Sequence, residues 1–124
     1  MDIKNIGYNI GEITIDTALT SGTPAEVGTL DDLQKLYNLA KNGGIGRINA
    51  TIGGTPMSGC CFLNPFVDAN GIGVDIGGVT NFGMSANAVT GTAYVSSGKM
   101  YAVVTITPLG GTQAKSSTAK ATSK

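Results

Sequence analysis

The sequence contains no histidine and no tryptophan among its 124 residues. The absence of histidine excludes a histidine general base, a Ser-His-Asp nucleophile and a histidine-ligated metal site. Charged residues make up only 13% of the chain and the formal net charge is zero, so the chain lacks the basic balance on which nucleic-acid binders rely. We therefore expect neither an enzyme nor a nucleic-acid-binding protein, and we expect no cofactor.

Long apolar runs are also missing from the sequence. None approaches the roughly 18 residues that a membrane-spanning helix needs, and residues 1–5 lack the apolar segment of a signal peptide. We therefore expect a protein that is made in the cytoplasm and does not enter a membrane.

Cysteine is scarce, and the two cysteines, Cys60 and Cys61, are adjacent. Neighbouring side chains on an extended chain point to opposite faces, so these two are poorly placed to bond to each other. A redox pair needs a spacing such as C-x-x-C. We predict two separate thiols in a reducing compartment.

Residues 72–80, Ile-Gly-Val-Asp-Ile-Gly-Gly-Val-Thr, look like the phosphate-binding hairpin of actin-like proteins and sugar kinases. Those proteins add a second phosphate loop and an adenosine pocket, for which this sequence has no counterpart. We interpret Gly73, Gly77 and Gly78 as places where a bulge forms or strands approach closely. We interpret residues 68–71 as a solvated turn, because the later ligands of a calcium loop are absent.

The first 28 residues are rich in glycine, threonine and isoleucine and show no helical periodicity. Residues 12–16 alternate as a short strand does. We predict an extended N-terminal arm that carries one strand and pairs either with its own sheet or with the sheet of a neighbour.

One helix is predicted over residues 30–41. Thr29 can cap its first turn, and Asp32 can return the hydrogen bond as in a capping box. Apolar residues follow at helical spacing and form one stripe, namely Leu33, Leu36, Tyr37 and Ala40. Glycines at 43 and 44 end the helix.

From residue 47 onward the apolar residues recur at every second position, as in strands. Residues 47–52 and 57–63 flank Gly53-Gly54, which is typical of a hairpin. Asn64-Pro65 is expected to break the second of these strands.

Three further strands are predicted. Residues 72–76 follow the turn at 68–71, and the clearest hairpin pairs residues 86–95 with residues 99–107 across Ser96-Ser97-Gly98. We expect Tyr94 and Tyr101 to pack against each other across this hairpin.

These elements predict a mainly β fold: a small β-sandwich or partly open barrel with one α-helix and an extended N-terminal arm. We divide the chain into the arm (1–28), the helix with a compact β domain (29–109) and a polar Ser/Thr/Lys tail (110–124). A small sheet with few lysines leaves its edge strands unprotected, so we expect a homo-oligomer.

In this layout the chain resembles the head-decoration and head-fibre proteins of tailed bacteriophages. The resembling parts are the arm through Gly28, the helix Thr29-Leu30-Asp31-Asp32-Leu33-Gln34-Lys35-Leu36-Tyr37 and the β domain over 47–109. The resemblance implies a non-enzymatic virion protein, often trimeric, that binds the outside of a capsid lattice or anchors a fibre. Its partners would be its own copies and capsid or other virion proteins.

The leading hypothesis is therefore a virion structural protein that docks through its arm and its helix. The residues predicted for these contacts are Ile13 and Ile15 in the arm, Leu33, Leu36 and Tyr37 on the helix, and Arg47. Arg47 is the single arginine of the sequence. It is either a plain surface charge or makes a bidentate contact with a carboxylate across an interface. The alternative is a binding module, an adhesin or carbohydrate-binding tip, whose loops at 64–71 and 77–85 contact the ligand.

Overall fold

The structure is a computed structural model that describes residues 1–8, 10–82 and 84–109. These residues form eight strands and one helix: β1 (Asp2–Gly7), β2 (Ile10–Thr14), β3 (Ala25–Gly28), α1 (Leu30–Asn42), β4 (Ile45–Ile52), β5 (Thr55–Asp68), β6 (Gly71–Phe82), β7 (Ser85–Ser96) and β8 (Lys99–Pro108). All eight strands belong to one curled sheet, a half-barrel, in the order β1-β2-β4-β5-β6-β7-β8-β3. The predicted mainly β, partly open barrel with one helix is confirmed. The predicted tail lies outside the described residues.

Helix α1 begins at the predicted capping box. The Thr29 hydroxyl accepts a hydrogen bond from the backbone N–H of Asp32 at 3.1 Å, and the Asp32 carboxylate accepts one from the backbone N–H of Thr29 at 2.9 Å. Two amides that a helix start leaves unpaired are thereby satisfied. The stripe of Leu33, Leu36 and Ala40 is buried. Because α1 contacts β1 and also β5 through β8, the sheet curls around the helix.

The sheet has an inner face, which packs against α1, and an outer face, which is turned away from it. Burial alternates along each strand, as the pleat requires. In β4, for example, Ile48 and Ile52 are buried while Arg47 and Thr51 are exposed. The inner side chains of the strands form one hydrophobic core with the helix stripe.

Two tight turns form the predicted hairpins. Gly53 and Gly54 have φ values of 60° and 82°, and Ser97 and Gly98 have φ values of 53° and 72°. Positive φ at both central residues is the requirement of the two-residue turn that matches the twist of antiparallel strands. The hairpins β4–β5 and β7–β8 follow from these turns.

Strand β5 continues through Asn64-Pro65, where the sequence predicted a break. The N–H of Leu63 donates to the Gly44 carbonyl at 2.8 Å, so the nitrogen of Pro65, two residues on, faces the same side. Strand β4 begins only at Ile45 and offers no ladder partner there. The missing N–H of proline therefore costs no hydrogen bond, and the strand extends to Asp68 along β6.

The predicted arm is part of the sheet. Strand β1 is antiparallel to β2, and β2 is parallel to β4. Strand β3 pairs with β8 at the opposite edge. Between β2 and β3, the N–H of Leu19 donates to the Thr51 carbonyl and the N–H of Gly22 donates to the Val104 carbonyl, both at 2.9 Å. Residues 1–28 therefore pair within their own sheet, and the boundary at residue 28 does not separate two structural units.

The two edge strands of the sheet, β1 and β3, are short or irregular. Strand β3 has four residues, and its register with β8 shifts between Glu26 and Gly28. The register of β1 with β2 also shifts, and β1 carries Asp2 and Lys4. Short length, bulges and charges all hinder pairing between the edges of two sheets. The edge strands alone therefore do not support the expected homo-oligomer.

Candidate interaction surface

Among the residues that the structure describes, a group of apolar side chains at the centre of the outer face is uncovered. We call Ile45, Cys60, Phe62 and Val79 the outer patch. Phe62 and Val79 expose 67% and 57% of their surface, and Ile45 and Cys60 are also exposed. Ile45 lies directly opposite Phe62, and the register of β5 with β6 places Val79 beside Cys60. Exposed apolar side chains that are contiguous over three strands are typical of an interaction site.

The strand pleat explains why Phe62 points outward. Its neighbours Cys61 and Leu63 are both buried in the core, and alternation leaves Phe62 and Cys60 on the opposite face. The prediction that the two cysteines point to opposite faces is confirmed. Burial, with a smaller contribution from Cys60, raises the pKa of the Cys61 thiol to about 11.

Two phenylalanines of β5 lie opposite glycines of β6 on the outer face. Phe66 covers Gly73 so closely that a Cβ added there would overlap the tip of the ring. Phe62 lies opposite Gly77, but a Cβ added at Gly77 would meet nothing within 4 Å. The first pair is closed, and the second leaves an open space beside an exposed aromatic ring.

Residues 72–80 form part of the continuous strand β6. A Cβ at Gly78 would lie 3.1 Å from the backbone oxygen of Cys60. The interpretation of these glycines as sites of close strand approach is therefore confirmed for Gly78. Gly73 instead makes room for the Phe66 ring, and Gly77 lines the open space.

The outer face of β4 to β8 carries few charges. By the strand registers, the charged side chains at its outer positions are Arg47, Asp75, and Asp68 and Lys99 near the hairpin ends. Asp75 accepts a hydrogen bond from the Thr92 hydroxyl at 2.9 Å. Because apolar and hydroxyl groups are less costly to remove from water than charges, the centre of this face can be covered by another protein at low cost.

Aromatic packing continues the closed part of the outer face. The ring centroids of Tyr94 and Tyr101 lie 6.3 Å apart with an interplanar angle of 32°, which confirms their predicted contact. Both side chains are half-buried. Phe66, Tyr94 and Tyr101 thus cover their own stretch of the sheet, unlike Phe62.

A depression of about 220 Å³ lies between β1 and α1, with Lys4 and Lys35 in its lining. Lys4 Nζ is 3.6 Å from the Asp2 carboxylate, and Lys35 Nζ is 3.5 Å from that of Asp31. The two ammonium groups therefore already have carboxylate partners. In the part of the chain that the structure describes, no group of three or more His, Cys, Asp or Glu side chains could hold a metal ion.

Four of the residues predicted to contact a partner are core residues. They are between 0% and 7% exposed and belong to the hydrophobic core, namely Ile13, Ile15, Leu33 and Leu36. The correction has a physical reason: strand alternation and a helix stripe indicate burial, and here the sheet and the helix bury each other. Tyr37 is half-buried against the core, with Lys41 Nζ 5.5 Å from the centre of its ring. Arg47 alone lies exposed on the outer face, beside the outer patch.

The outer patch itself was not predicted, although the sequence contains a signal for it. Residues 57–63 carry apolar side chains at both even and odd positions, because Cys60 and Phe62 alternate with Met57, Cys61 and Leu63. Such a run is typical of a strand that is covered on both faces. Helix α1 covers only the inner face of this strand.

The loops proposed for a binding module are mostly strand. Residues 64–68 belong to β5, and residues 77–82 belong to β6. The turn between these strands is formed by Ala69 and Asn70, and the Asn70 N–H donates to the Asp68 carboxylate at 2.8 Å. This confirms the predicted turn, and it leaves little loop at 64–71 to contact a ligand.

Comparison of the chain with protein-family models, with curated proteins and with solved structures finds no match. Over the residues that the structure covers, the helix is too short and too polar to cross a membrane.

Proposed function

We propose that the chain is a non-enzymatic structural protein that self-associates through the outer patch. The observation that carries this proposal is Phe62, two thirds exposed at the centre of a face with few charges. Removing apolar surface from water is favourable by about 25 cal/mol per Å², before the entropic costs of association are subtracted. Aromatic side chains in a weakly charged surround are also the composition that distinguishes interface cores from other protein surface.

The type of structural protein that we propose is a virion component, a head-decoration or head-fibre protein of a tailed bacteriophage. The layout of the sequence supports this type, and docking onto capsid or other virion proteins rests on that resemblance alone. The outer patch is assigned to contacts between copies of the chain.

The self-association is tested by size-exclusion chromatography with light scattering over a wide range of protein concentration. We expect the native chain to have a mass of at least twice 12.5 kDa. The Phe62→Ser variant should have the mass of a monomer. Val67→Ser is the matched control, because Val67 has the same exposed fraction, 67%, but lies outside the outer patch. A native chain that stays monomeric at every concentration would refute the proposal.

The virion location needs a separate measurement. An antibody raised against the folded chain should label the surface of virus particles released by the source cells, as seen by electron microscopy. Labelling of the free protein in the lysate, with bare particles, would contradict a decoration role but would leave the self-association standing.

A further inference from the structure

Two opposite charges occupy symmetric positions about Phe62. Arg47 lies opposite Cys60, so it is one strand away from Phe62 and two residues back along β5. Asp75 lies opposite Asn64, one strand away on the other side and two residues forward. With strands about 4.8 Å apart and residues about 3.3 Å apart, each charge lies about 8 Å from Phe62, in opposite directions.

This placement is self-complementary under a two-fold rotation. Consider an axis that passes through Phe62, lies in the plane of contact and is perpendicular to the line from Arg47 to Asp75. Rotation about this axis brings the Phe62 side chains of two copies together and sets Arg47 of each copy against Asp75 of the other. In a two-fold interface the contact of one residue with a second is always repeated in reverse, so one favourable pair becomes two.

We propose that the outer patch binds a second copy of this chain in this two-fold arrangement, with Phe62 at the axis and two Arg47–Asp75 pairs beside it. This inference rests on the proposed self-association and adds its geometry and its partner. Opposite charges on either side of an apolar centre fix the orientation of the copies, because another rotation would leave both charges without a partner.

The surroundings of the two charges fit this role. Arg47 and Asp75 are both exposed, and neither takes part in an ion pair within residues 1–8, 10–82 and 84–109. Glu12 lies opposite Arg47 on β2, but it is half-buried and its carboxylate accepts a hydrogen bond from the Asn49 side chain at 3.4 Å. The hydrogen bond from Thr92 occupies one oxygen of Asp75 and holds the carboxylate in place. A guanidinium can bind a carboxylate in a bidentate manner, through two parallel hydrogen bonds.

The curvature of the sheet sets how closely the two copies approach. Two outer faces touch first at their centres, where Phe62 lies, and separate toward the sides. The long side chain of Arg47 can bridge that separation. The open space at Gly77 gives a facing side chain room to enter beside Phe62.

The test is an exchange of charges between Arg47 and Asp75, followed by sedimentation velocity at low salt. Each single variant, Arg47→Glu or Asp75→Lys, places two like-charged pairs in the interface, and we expect the dimer dissociation constant to rise at least about tenfold. The double variant Arg47→Glu/Asp75→Lys restores both pairs and should recover the native constant. Lys35→Glu on the helix is the matched control for Arg47→Glu, since it makes the same change in net charge outside the outer face.

Mixing the two single variants gives the sharpest readout. Each is weakened alone, but in a mixed dimer Glu at 47 faces Lys at 75 and the native Arg47 faces the native Asp75, so we expect the mixture to form dimers. Native association that is insensitive to every charge variant, or a native mass three times 12.5 kDa, would overturn the two-fold arrangement while self-association stands. A native chain that never associates would overturn both.

Discussion

Phe66 and Phe62 occupy equivalent positions on the outer face of β5, four residues apart, and each lies opposite a glycine of β6. Phe66 lies over Gly73 and is half-buried, whereas Phe62 leaves Gly77 uncovered and is exposed. The same pair of residue types thus has two outcomes. In the Phe66–Gly73 pair the ring fills the space above the glycine. In the Phe62–Gly77 pair the ring is exposed and the space beside it is open.

The difference shows how an exposed apolar side chain can be distinguished from a packing residue. A glycine opposite an aromatic residue is a structural requirement when the ring fills the space, as at Gly73. At Gly77 the space is empty, so the sheet itself has no need of glycine there. That position and Phe62 are therefore free to serve another molecule.

The largest effect on stability is expected from truncating Phe66, and truncating Phe62 provides the comparison. Phe66→Ala should lower the free energy of unfolding by about 2 kcal/mol, less than for a fully buried phenylalanine, because Phe66 is only half-buried. Phe62→Ala should change it by less than about 0.5 kcal/mol. Urea denaturation at a low protein concentration, where self-association does not contribute, measures both. Equal losses would show that the two rings pack alike.

The next contrast is between the glycines. Gly73→Ala places a methyl group where the Phe66 ring lies, so the ring must move and about 1 to 2 kcal/mol of stability is expected to be lost. Gly77→Ala has open space around its Cβ and should leave stability within about 0.5 kcal/mol of native, or raise it slightly by restricting the unfolded chain. Thermal unfolding of the two variants, measured side by side, compares their stabilities. A strongly destabilised Gly77→Ala would show that Gly77, like Gly73, is needed for packing.

The smallest expected effect compares the buried and the exposed cysteine. Because the pKa of Cys61 is raised to about 11 in the folded chain, the unfolded chain releases this proton first as the pH rises above the ordinary value of 9.0. Stability is therefore lost between about pH 9 and pH 11, by about 1 kcal/mol at pH 10. In Cys61→Ala this part of the decrease should vanish.

The control for this measurement is Cys60→Ala, which removes the exposed thiol and should keep nearly all of the decrease. Urea denaturation of the native chain and both variants at about pH 8 and pH 10 gives the comparison. A decrease of the same size in all three proteins would mean that Cys61 is not its source.

The sequence predicted the elements whose signals are local. The capping box at Thr29, the two-glycine turn at Gly53 and the hairpin across Ser97 each depend on residues within one turn of chain. The pairing of β3 with β8 and the parallel pairing of β2 with β4 join segments that are distant in sequence. Alternation carries no information about which distant strand supplies a partner, so these pairings could not be predicted.

The candidate site was predicted at Arg47 alone. Periodicity identifies apolar faces, and it correctly aligned Leu33 with Leu36, but it cannot tell whether a face will be covered by the same chain or by another. For those two residues the cover is the sheet. Whether the chain covers Phe62 depends on the side of the sheet on which α1 lies. Only the fold determines that side.

The route of the chain between β2 and β3 has a consequence for biosynthesis. Because β3 pairs with β8 and Gly22 bonds to the Val104 carbonyl, the early segment finds its partners only among the last residues of the sheet. A nascent chain must therefore leave Gly22 and strand β3 without their sheet partners until residues 99–108 have left the ribosome. Long-range pairing of this kind slows folding, so the sheet that the structure describes can close only once β8 has been made.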